Sequence, residues 1–149
     1  MRRIRLVSSA RGQSLMEISL LLPVLLIIVF GIIDFGLGMR SYISLSNGVR
    51  EGARFAALGN PAGEPSDCDG ITNTTVYGAL CAATDGLDLD ELEPDVTYPD
   101  GYASGNSVVV SADYSHNFVT PLGDLIGFVS GGSFPTSIEL HSSTDMRIE

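Results

Sequence analysis

Sixteen consecutive uncharged residues, Ile18 to Ile33, limit what this chain can become more than any other stretch of it. A segment apolar on every side has no face to offer water. In a lipid core, a helix of about 20 residues is the simplest way for one segment to satisfy its own backbone. The chain therefore opens with a membrane-spanning helix, and nothing from Ser14 to about Leu58 forces that helix to stop. Beyond Asp34 the composition changes: Tyr42, Ile43, Leu45 and Val49 alternate with Arg40, Asn47, Arg50, Glu51 and Arg54, the pattern of an amphipathic stalk outside the membrane. Pro23 cannot donate to the carbonyl of residue 19, which predicts a kink or a locally melted turn.

Charge gives the helix a direction. Arg2, Arg3, Arg5 and Arg11 precede Gly12 without an acid, residues 13–54 sum to zero, and residues 55–149 carry fifteen acidic side chains against Arg147 alone, for a net charge of −10. Flanking arginines hold their end of a membrane helix in the cytoplasm, so the acidic remainder is expected outside. A chain with no lysine and an acidic domain argues against a nucleic-acid partner. After the anchor, fewer than a hundred residues remain, enough for one small domain and not for a large catalytic cleft. His116 and His141 have no nucleophile near them in sequence and are expected at the surface. The chain reads as a non-enzyme without a cofactor.

Gly59-Asn60-Pro61 is a helix stop. After it, Thr72 to Thr84 permits a short helix with Val76, Leu80 and Ala83 on one side. Asp95 to Tyr98 and Ser107 to Tyr114 read as strands, the second with Val108, Val110, Ala112 and Tyr114 on one face. Pro121 to Val129 has the spacing of a short amphipathic helix that would cover a sheet. In the final strand Ile138, Leu140, Met146 and Ile148 alternate with Glu139, His141, Asp145, Arg147 and Glu149. The expected class is α+β: a long N-terminal membrane-spanning helix, then a small domain with a three-stranded antiparallel sheet and one or two short helices. The divisions are a leader (1–12), a transmembrane helix (13–34), a stalk (35–58) and an extracytoplasmic domain (59–149).

Several candidate sites lie along this plan. Gly48, Gly52 and Ala56 form a stripe of small residues that admits a closely packed helix, either from another subunit or from the chain's own domain. Cys68 and Cys81 lie in the segment expected outside, where a disulfide between them would contribute about 3 kcal/mol; two unpaired buried cysteines are the alternative. Asp85, Asp88, Asp90 and Glu91 are a weak calcium candidate, since their order departs from the EF-hand pattern and a solvated acidic loop explains them better. Asn73-Thr74-Thr75 fits a glycosylation triplet and is assigned no role.

The start of the helix carries the most specific signal. Gly12, then Gln13, then Glu17 four residues on, placed between a basic leader and an apolar helix, resembles a prepilin signal. A glycine before the cut lets the backbone approach the peptidase closely. Cleavage would make Gln13 the new terminus and Glu17 the fifth residue. A lone carboxylate costs up to about 3 kcal/mol at the centre of a membrane helix and so asks for a partner. The amine of Gln13 on a neighbouring subunit is one, and the headgroup region beside Arg11 is the alternative. Gly36-Leu37-Gly38 would pass for a secretory cleavage site, but the apolar core before it is too long.

Arg11-Gly12-Gln13-Ser14-Leu15-Met16-Glu17, the apolar run through Pro23, Gly31-Ile32-Ile33-Asp34 and Asn47-Gly48-Val49-Arg50-Glu51-Gly52-Ala53-Arg54 together resemble the TadE-like pseudopilins of the TadE/TadF family, from the tight-adherence (Flp) pilus system. The likeness covers residues 11–58, the Ser107 to Tyr114 strand, the Pro121-Leu122 turn and the final strand also fit the family's layout, and residues 60–100 add nothing to it. It implies maturation by prepilin peptidase and packing against other pilin or pseudopilin subunits through parallel helices. It also implies residence in the inner-membrane lipid and a part in pilus assembly and surface attachment. A membrane-anchored binding module or assembly-platform protein that never enters the fibre is the other reading.

Overall fold

The computed structural model describes residues 10–66, 68, 74–132 and 134–149. Most of the leader, the start of the 72–84 segment and Asn73 lie outside the described residues. Helix α1 (Ala10–Ala57) is 48 residues long, which at 1.5 Å per residue is about 72 Å. It runs through Pro23 without interruption, so the melted turn expected there does not occur. One missing donor in the middle of a long helix leaves the flanking turns bonded. The helix ends where sequence placed its stop: Gly59 takes a φ of +78° and the Asn60 side-chain amide donates to the Phe55 carbonyl at 2.9 Å.

Helix α2 (Val76–Ala83) follows, with the Thr75 hydroxyl accepting from the Gly78 amide at 3.2 Å as its N-cap. A 3₁₀ turn (Leu89–Glu91) leads into strand β1 (Leu92–Thr97). Strand β2 (Ser107–Asn117), helix α3 (Leu122–Ser130) and strand β3 (Ser137–Arg147) complete the domain. The sheet is antiparallel in the order β1-β2-β3, with Leu92 opposite Tyr114 and Asn117 opposite Ser137. β1 begins three residues earlier than the hydrophobic pattern suggested and takes in Pro94, which an edge strand tolerates because a missing amide there can face solvent.

The core lies between the outer half of α1 and the sheet. Leu45, Val49, Ala53 and Ala56 of α1 meet Val76 and Leu80 of α2 and Val108, Val110 and Ala112 of β2. The expected stalk is thus also the spine of the domain. Helix α3 packs on α1 rather than over the sheet as the sequence reading had it. That face of the sheet is already taken by α1, which contacts both β2 and β3.

Candidate functional site: the N-terminal helix and its junction with the domain

Gly12, Gln13 and Glu17 lie on the first turns of α1, and Gln13 and Glu17 are exposed. The Gln13 side-chain amide reaches the Glu17 carboxylate at 3.5 Å, one turn apart on the same face. Around them Leu15, Met16, Leu20, Leu21 and Ile28 all project outward, and almost none of the apolar stretch is covered by the protein itself. One N-terminal helix, long and apolar enough to cross a membrane, is therefore presented bare, with a single carboxylate near its start.

The small-residue stripe is occupied by the chain's own domain. A Cβ added to Gly48 would lie 2.9 Å from the Leu80 carbonyl, and one on Gly52 would lie 3.1 Å from the Leu80 Cβ and 3.4 Å from Val110. Ala56 is fully buried in the same core. Cys68 and Cys81 are joined as a disulfide with Cα atoms 5.3 Å apart, tying the loop after α1 to α2. The acidic loop assembles no cation cage. Among the described residues no three His, Cys, Asp or Glu side chains converge, and the Asp88 carboxylate accepts from the Asp90 amide at 3.2 Å to cap the 3₁₀ turn.

Sequence reasoning missed what holds the domain to the helix. Asp34, only 1% exposed, accepts hydrogen bonds from the Val119 amide at 3.0 Å and the Thr120 amide at 3.1 Å, and a short one from the Thr120 hydroxyl. A carboxylate with three donors is a stable buried arrangement. One turn on, His116 is buried rather than at the surface. Its Nδ1 lies 3.2 Å from the Ser41 hydroxyl, its Cδ2 edge faces Gly38, and among the described residues its Nε2 has no hydrogen-bond partner. Together the two contacts bolt the end of β2 onto α1. The charge change at Asp34 was the available signal, since it is the first charged residue after Glu17. His141 is exposed as expected, with Nδ1 2.7 Å from the Asp113 carboxylate.

Glu51 and Arg54 pair across one turn at 2.5 Å, and the guanidinium holds the Glu51 carboxyl below its ordinary value. Both side chains face solvent, so the pair decorates the helix end and adds little stability.

Residues 12–54 match the family described as TadE-like protein. The long helix of this chain is similar in sequence to that family's model. The match begins at Gly12, ends at Arg54 and lies wholly within α1, so it includes the outward-facing apolar half and the half that spines the domain. Comparison with curated proteins and with solved structures gave no match.

Proposed function

We propose that this chain is a pseudopilin or minor pilin of a tight-adherence pilus. In this reading prepilin peptidase cuts after Gly12, the leader is lost, and the helix from Gln13 onward is kept as membrane anchor and packing element. The domain stands outside the cytoplasmic membrane. Neighbouring pilin subunits share the apolar half of α1, and inner-membrane lipid covers it before assembly.

The observation that carries this reading is the bare apolar helix with Glu17 exposed near its start, on a segment that matches the TadE-like family. Such a surface is unstable in water and needs lipid or like helices around it. Glu17 then pairs with the amine of Gln13 on an adjacent subunit, because an unpaired carboxylate among apolar helices is costly. The intrachain Gln13–Glu17 contact is long at 3.5 Å and leaves the carboxylate open to a stronger partner.

Mass spectrometry of the protein made with and without prepilin peptidase tests the assignment. Loss of residues 1–12 only when the peptidase is present is expected. An uncut chain, or a cut near Gly38 that releases a soluble domain, would overturn it. Glu17→Ala then separates roles: normal trimming with failed assembly assigns the carboxylate to subunit contacts.

A further inference from the structure

We propose that the turn and helix joining β2 to β3 form a foot that rests in the lipid interface beside the point where α1 leaves the membrane. The inference rests on the reading of α1 as a membrane anchor.

Axial position is the first argument. The hydrocarbon core is about 30 Å thick, or about 20 helical residues, so a span that starts at the first turns of α1 reaches its outer boundary near Asp34. Asp34 holds the Val119 and Thr120 amides directly, which fixes that part of the domain at the same level. Gly38, one turn farther out, faces His116 and Ile138. The sheet therefore meets the membrane with its Asn117–Ser137 end, and the Phe118 amide donates to the Thr136 carbonyl at 2.8 Å just beyond it. The described residues 119–132 and 134–135 are an excursion past that end. The opposite end of the domain is distal: the Tyr102 hydroxyl donates to the Gly59 carbonyl, some 25 residues along α1 from Asp34, or about 37 Å.

Chemistry is the second argument. From Asn117 to Ile138 the chain carries one charge, Asp124, in a domain otherwise dense with carboxylates. It also puts several apolar side chains outward. Phe128 is 85% exposed and Val119 72%, and Val129 and Phe134 are exposed beside them. Ile33 and Phe35 of α1 are exposed on either side of the Asp34 clamp, so exposed apolar side chains of the span and of the foot share one level. Lipid is the occupant that this shared level selects. An amphipathic helix that settles about 5–10 Å into the headgroup and acyl boundary does so through such an apolar face. The foot would hold the domain at a fixed tilt until the subunit leaves the bilayer.

The chain contains no tryptophan, so single substitutions give clean reporters. Full-length protein carrying Phe128→Trp, Phe134→Trp, Ile28→Trp or Tyr102→Trp is reconstituted into phosphatidylcholine vesicles with bromine placed either high or low on the acyl chains. Quenching and a blue-shifted emission at positions 128 and 134, strongest with the high bromines, are expected. Position 28 should be quenched by the low bromines, and position 102 should emit as in water. Emission at 128 and 134 like that at 102, with 28 quenched, overturns the foot and leaves the anchor intact. A blue shift without bromine quenching overturns it in favour of a second protein copy. An unquenched position 28 removes the anchor and the foot together.

Discussion

Leu20 and Leu45 belong to one continuous helix, yet Leu20 is 76% exposed and Leu45 fully buried. The inner half of α1 presents apolar side chains all round and touches almost nothing of its own chain. The outer half buries a single stripe beneath α2 and the sheet. The helical backbone is the same in both halves; what differs is who supplies the burial. In the proposed function lipid or other subunits cover the inner half, and its residues answer for insertion and assembly. The domain covers the outer half, so its residues answer for folding.

Paired substitutions across the two halves break this contrast if it is wrong. Leu45→Ala should cost the domain about 2–5 kcal/mol, because it opens a cavity in the core. Leu20→Ala should leave the unfolding midpoint of the domain in place and act only on fibre yield. Denaturant titration of the detergent-solubilised protein, followed by circular dichroism, reads both. A domain midpoint that falls equally for Leu20→Ala would show that the halves fold as one unit.

The boundary comes next. Asp34→Ala strands three donors and should destabilise the junction by about 3 kcal/mol, with faster amide exchange at Val119 and Thr120. Asp34→Asn should restore most of that, since an amide oxygen still accepts from both backbone donors and its nitrogen can donate to the Thr120 hydroxyl. Protection at the two amides unchanged in the alanine variant would remove Asp34 from this account.

Glycine gives a smaller contrast of opposite sign. Gly48→Ala drives a methyl group against the Leu80 carbonyl and Thr84 and should cost about 1–3 kcal/mol. At Gly36 an added Cβ meets nothing within 4 Å, so Gly36→Ala should gain up to about 1 kcal/mol from helix propensity. Thermal unfolding of the two variants side by side would expose an error if both moved the same way.

The mildest test is alkaline pH. Burial, the larger influence, raises the Tyr77 hydroxyl above its ordinary value of 10.0, and nearby Asp95 adds to it; burial and then Tyr102 do the same for Tyr98. The folded state holds these protons more tightly than the unfolded chain does. The associated stability is complete below about pH 10 and falls as pH rises through the raised values. Tyr98→Phe should flatten that fall. An equally steep loss in the variant would assign it to other groups.

Much of the architecture was legible because it follows from local periodicity. The α1 span, its Gly59 stop, the inward face of β2 and the alternation in β3 each rest on side-chain spacing that a helix or strand must respect. Strand β1 was only half visible, since Pro94 argues against a strand at its start. His116 was misplaced at the surface because its shelter, Gly38 and Ser41, lies far away in sequence and comes close only when β2 docks on α1.

Alone, the order of residues determined that this chain has a membrane-type helix with a carboxylate near its start and an acidic α+β domain after it. Charge and hydropathy act residue by residue, and no fold is needed to read them. Tertiary structure decided which faces are spent. It filled the Gly48–Gly52 stripe with α2, buried Asp34 under the Val119–Thr120 turn, moved α3 off the sheet and left Phe128 bare. Those outcomes depend on which distant surfaces reach each other first and exclude water, which the spacing along one chain does not encode.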